Sequence, residues 1–185
     1  MADSTALWHA EHVRFSRLLD LLEEQVAEFH EGECPDLDLM RDVVSYLREF
    51  GDRFHHPRED AAFARMVMHD QTLRLPINRL LQEHRAIAVA GEELVARLNE
   101  AMADAVILRA TVEASAALYL AYYRHHLATE EREIVPRAAR LLTAEDWRIV
   151  AGAAPTGSDP LFGDPPSEAY RALRELLVAG GSAAR

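Results

Sequence analysis

Four histidines and two glutamates have the types and spacing to hold a metal: His12, His55 with Glu59, His84, and His126 with Glu130. A histidine and a glutamate four residues apart on a helix lie one turn from each other on the same face, so their donor atoms can converge on one point. The surroundings repeat as well. HHPRED at 55–60 and HLATEE at 126–131 both read as histidine, three spacers and two consecutive acids, and the second continues REIVP. Four imidazoles and two carboxylates exceed the needs of a four-coordinate zinc ion, whereas two carboxylates can each bridge a pair of ions and leave two histidines for each. Ligation by imidazole and carboxylate without thiolate suits iron or manganese, with zinc as the remaining candidate. The Glu-x-x-His pairs of ferritin-like di-iron proteins are absent, because His9, Asp52, Leu81 and Tyr123 stand three residues before the four histidines. No HExxH occurs, which argues against a zincin protease.

The elements that must position these residues read as helices. Glycine is scarce, with eight in 185 residues, and apolar residues recur at helical rather than alternating spacing. A first helix over about residues 4–30 carries His12, Phe15, Leu19, Leu22 and Val26 on one stripe. A second begins near Asp36 or Asp38, either of which suits an N-cap, and runs toward Met66. Pro57 within it is expected to bend or widen the helix inside the His55/Glu59 pair, and a rotation there would put His56 at the metal in place of His55. The third has Pro76 in its first turn and runs to about Ala103, with His84 among Leu80, Ile87 and Leu94. The fourth, from about 105 to 140, aligns Val112, Ser115, Tyr119, Tyr122, His126 and Glu130. The expected fold is all-α: an antiparallel up-down four-helix bundle over residues 1–142 with a short helical appendage over 143–185. In the appendage Thr143 and Asp146 are spaced as a capping box, PTGSDPLFGDPP forms a loop, SEAYRALRELLVA forms a short helix, and GGSAAR is expected to fray.

Composition narrows the function. Twenty basic residues against 31 acidic ones give a net charge of -11, which disfavours nucleic acid and anionic membrane surfaces. The single cysteine, Cys34, rules out a disulfide framework. No stretch approaches the roughly 20 apolar residues of a membrane span, and the start lacks a signal peptide's pattern. A cytoplasmic protein is expected.

The sequence resembles the hemerythrin-like, or HHE cation-binding, family, through His12 in AEHVRF, HHPREDAAF, His84 in LQEHRAI, and HHLATEEREIVP. The resemblance covers about residues 5–140 and implies a four-helix bundle around a non-haem di-iron centre. It implies that His12 and His55 bind one iron, His84 and His126 the other, and that Glu59 and Glu130 bridge them. Oxygen-carrying members place the last carboxylate five residues after the histidine, which would select Glu131. They also carry a second histidine four residues after the one in the third helix, where this chain has Ala88. That departure implies a position open to water, to Tyr119 or Tyr122, or to an exogenous molecule. His56, Asp60, His125 and Glu131 are rotated about 100° from the inward residues and are expected to face outward or to support the ligands.

The expected function is binding of oxygen, nitric oxide or peroxide at two iron ions, in a sensing, protective or iron-handling role. A di-iron enzyme acting on peroxide or ferrous iron is the alternative from a second class. A helical interaction module without metal chemistry is the third.

Overall fold

The computed structural model describes residues 4–103, 109–153 and 157–183. Every regular element among them is helical. Helix α1 spans Ser4–Glu31. Asp36 then caps α2 (Leu37–Tyr46) by accepting the Leu39 amide at 2.9 Å. The rod continues without a break through a π-helical stretch, Leu47–His55, into α3 (His56–His69). A 3₁₀ turn, Gln71–Leu73, leads into α4 (Arg74–Met102), with Pro76 in its first turn. Helix α5 (Arg109–Thr129) passes through a second π-helical stretch, Glu130–Ile134, into α6 (Val135–Leu141). The expected start of this rod near residue 105 lies outside the described residues.

Each π-helical stretch ends two residues before a proline, Pro57 or Pro136. Proline has no amide hydrogen and its ring crowds the carbonyl four residues back, so the preceding turn opens into the wider register. The widening therefore reaches the pair at His55 and ends there, before Glu59. An extra residue in the turn brings consecutive His55 and His56 both to the interior, where they are 1% and 4% exposed.

Two apolar clusters fill the interior. One contains Phe15, Leu19, Tyr46, Phe50, Ile87, Leu94, Tyr119 and Tyr123; the other contains Trp8, Phe63, Met66, Ile77, Leu80, Ile134 and Ala138. Each of the four rods contributes to both, and its histidine falls at the change from one to the other. Helix α1 passes from the Trp8 cluster to the Phe15 cluster, the α2–α3 rod returns, α4 repeats the first direction and α5–α6 the second. Helix α1 packs on α2 and α5, and α4 packs on the same two. The polar residues thus occupy one layer between two dry ones.

The tail is bound at both ends of this layer. Thr143 and Asp146 form a capping box at the start of α7 (Ala144–Ala151), and Asp146 also accepts from Arg65 at 2.6 Å. Tyr46 donates to Asp159 at 3.2 Å and Tyr170 to Glu49 at 2.8 Å, while Leu161, Tyr170 and Leu173 join the Phe15 cluster. Helix α8 runs Arg171–Ala183 and takes in the first four residues of GGSAAR, whose last two, Ala184 and Arg185, lie outside the described residues. No described helix is long and apolar enough to cross a membrane.

Candidate metal centre

The layer between the clusters brings the six expected residues together and adds a seventh. His12, His55, Glu59 and Glu130 form one group; His56, Glu59, His84 and His126 form another. Within each, the candidate ligand atoms lie within 4.8 Å of one another, and all seven side chains are buried. Glu59 belongs to both groups. Glu130 also reaches both, with oxygens 3.5 Å from His12 Nε2, 3.2 Å from His126 Nε2 and 3.8 Å from His84 Nε2.

These atoms point at shared positions rather than at each other. His12 Nε2 and His55 Nε2 approach to 3.0 Å, and His84 Nε2 and His126 Nε2 to 3.1 Å. Both oxygens of Glu130, Glu59 Oε2 and His56 Nε2 have no hydrogen-bond partner despite burial. Buried carboxylates without a compensating cation or donor are costly, and a cation among these donors satisfies all of them at once. The residues fit a metal on that ground.

The outer nitrogens are equally telling, because each of the five histidines directs Nδ1 at a carboxylate. His55 meets Glu11 at 2.6 Å, His12 meets Glu131 at 2.6 Å, His84 meets Asp60 at 2.8 Å, and His126 meets Glu83 at 3.3 Å. His56 meets Asp52, one turn earlier on its own helix, at 3.3 Å. A carboxylate on one ring nitrogen fixes the ring and leaves the other nitrogen as the donor to a metal. The four inter-rod pairs also close a ring: α1 holds the histidine of the second rod, that rod holds α4, α4 holds the fourth rod, and the fourth rod holds α1. Arg58 sets Glu11 with contacts of 2.7 Å, and His9 holds the second oxygen of Glu131 at 3.0 Å.

Charge follows the same division. Burial alone would lower the imidazolium pKa values, but Glu131 and Glu59 push His12 up to about 10. Asp60 and Glu130 likewise push His84 up to about 12, and Glu130 with Glu83 raises His126 to about 9. His55 is raised mainly by Glu59 and Glu11 against its burial. His56 goes the other way: burial outweighs Asp52 and lowers it to about 4, so it is neutral and its Nε2 lone pair is free at neutral pH. Burial and the neighbouring Glu59 would raise Glu130, but His126 and His84 hold it down at about 2.

Several sequence expectations change. His56, expected to turn away, is buried and stacks on the His84 ring at 4.1 Å. Glu130 is 1% exposed in the layer, whereas the Glu131 side chain is 33% exposed and contacts His12 Nδ1 from the rim. The buried stripe of α5 is Val112, Ala116, Tyr119, Tyr123 and His126; Tyr122 is 43% exposed and is replaced as the inward phenol by Tyr123. His125 faces outward, as expected. Glu11 and Glu83 were missed, although EH recurs at 11–12 and 83–84, immediately before the two lone histidines.

A groove of about 420 Å³ between α1 and α5, lined in part by His9, His12, Val13, Leu127 and Glu131, brings solvent space up to the His12–Glu131 pair. A helical protein with a buried cluster of histidines and carboxylates, braced by outer acids, is by construction a candidate cation-binding domain. The family model of the hemerythrin HHE cation binding domain matches residues 3–138, and the chain belongs to that family. Comparison with curated proteins and with solved structures gives no match.

Proposed function

We propose that this chain is a cytoplasmic, hemerythrin-like non-haem di-iron protein built on an antiparallel up-down four-helix bundle over residues 1–142, with residues 143–185 as an appendage. The alternating passage of the rods between the two apolar clusters supports the topology. His12 and His55 would hold one ion, and His84, His126 and His56 the other, with Glu59 and Glu130 between them. The observation that carries this is the common arrangement of the five histidines, each with Nδ1 on a carboxylate and Nε2 turned toward the shared layer.

Imidazole and carboxylate ligation without thiolate favours iron or manganese, with zinc as the remaining candidate. His56 takes up the role that Ala88 leaves, so the second ion regains three histidines and the two ions differ by one imidazole. An iron pair so held supplies a coordination position for oxygen, nitric oxide or peroxide. The chain's own part is to hold the ligand rings, exclude water with the two apolar clusters, and admit a small molecule, for which the groove beside His12 is the nearest solvent space. A sensing, protective or iron-handling role follows from binding of that kind. His56 also withdraws the under-ligated ion that motivated an enzyme.

Protein produced in iron-replete medium should contain two iron ions per chain, and His55→Ala with Glu130→Ala should lose them. Absence of iron and manganese, or content unchanged in the double variant, would overturn the reading.

A further inference from the structure

Five tyrosines are present, and two of them bury a hydroxyl that has no partner among the described residues. Tyr46 and Tyr170 donate to carboxylates and Tyr122 is exposed, but Tyr119 and Tyr123 are fully buried with no partner for Oη. A buried unpaired hydroxyl is destabilising, so its persistence needs an explanation. Tyr119 packs at Gly91, where an added Cβ would be 3.0 Å from its Cε2, and edge-on to Tyr123 at 5.6 Å. Tyr123 lies against that layer, three residues before His126 on the same face of α5.

Its position is narrowly defined. The Tyr123 ring is 6.1 Å from His56 and 6.0 Å from Phe15, which itself packs edge-on to His55 at 4.9 Å. The phenol ring therefore neighbours His56 directly and His55 through Phe15. A Cβ added at Gly51 would be 2.8 Å from Tyr123 Oη and 3.8 Å from His56 Cε1, so glycine in the widened turn leaves room for the hydroxyl beside His56. Phe15 and Phe63 contribute carbon surface around the rings.

We propose that Tyr123 is the hydrogen-bond donor for the small exogenous molecule held at the centre, an anion or a partly reduced oxygen species with a lone pair to accept. This rests on the two-metal reading above. The hydroxyl that lacks a partner in the protein gains one only when such a molecule is present, which makes it a selectivity device rather than a structural bond.

Azide is the probe, added to the iron-loaded full chain and followed by its charge-transfer absorption. Tyr123→Phe should keep two iron ions and weaken azide binding by about tenfold, the range of a hydrogen bond to a charged acceptor. Tyr119→Phe should leave the affinity within about twofold. The metal-stripped Tyr123→Phe protein should melt no lower than the wild type, because it loses an unsatisfied polar atom. Unchanged azide affinity at full iron content would overturn the assignment. So would loss of iron or of folding in Tyr123→Phe, equal weakening in Tyr119→Phe, or a phenolate-to-iron band that vanishes in the variant, since that would make Tyr123 a ligand. A wild-type chain with no iron would instead remove the two-metal reading, and this assignment with it.

Discussion

The His12/His55 half of the centre and the His56/His84/His126 half share two glutamates but are held differently. In the first, both outer contacts are 2.6 Å and Arg58 fixes Glu11 from behind. In the second, Asp60 holds His84 at 2.8 Å, Glu83 holds His126 at 3.3 Å, and a third, neutral histidine stacks on His84. One half is tightly braced with two imidazoles; the other is more loosely braced with three. The difference teaches that an imidazole absent from one helix can be supplied by a neighbour, provided the backbone opens enough to turn it inward. On the proposed assignment, the better-braced ion has fewer protein nitrogens.

The comparison breaks most completely through the shared carboxylates. Glu59→Ala removes a donor common to both groups, and metal content should fall from two ions per chain to none; retention of one ion would show that the halves are independent. Replacing His56 by Ala should empty only the three-histidine half, leaving about one ion per chain. Two ions of unchanged affinity in that variant would return His56 to a packing role.

The outer acids grade the halves further. Removing a carboxylate behind a metal-bound histidine typically lowers affinity about 10- to 100-fold. Glu131→Gln should sit at the upper end and Glu83→Gln at the lower, in keeping with their 2.6 and 3.3 Å contacts. Metal competition titrations would measure both, and a reversed order would contradict the bracing argument.

Acidity tests the charge bookkeeping. In the metal-stripped protein, His12, His84 and His126 have folded pKa values raised to about 10, 12 and 9. Their stabilisation is therefore fully present below about pH 6.5 and is lost as pH rises through those values. His56, lowered to about 4, acts in the opposite sense as pH falls below about 6.5. The melting temperature of metal-stripped protein should fall between about pH 6.5 and 9.5, while the loaded protein, whose ligand histidines are neutral, should change less. A gap between the two forms that stays constant with pH would contradict this.

Much of this was legible from spacing. The stripe through His12, Phe15, Leu19 and Leu22 and the two HxxxE pairs identify helices and inward faces because an α-helical period maps residues onto faces without further information. His56 was misplaced for the same reason: the 100° rule applies to an α-helix, and Leu47–His55 is π-helical. Tyr122 was chosen over Tyr123 because spacings of three and four from His126 are equally helical, and only packing distinguishes them. Glu11 and Glu83 were missed because each supports a histidine on another rod, a relation that depends on which helices are neighbours.

The most direct measurement is a crystal structure of the iron-loaded protein with anomalous data at the iron edge. The account predicts two peaks in the layer between the Phe15 and Phe63 clusters, with the nitrogens of His12 and His55 about 2.0–2.2 Å from one and those of His56, His84 and His126 at similar distances from the other. A single peak, or two peaks with His56 Nε2 outside bonding distance of both, would contradict it.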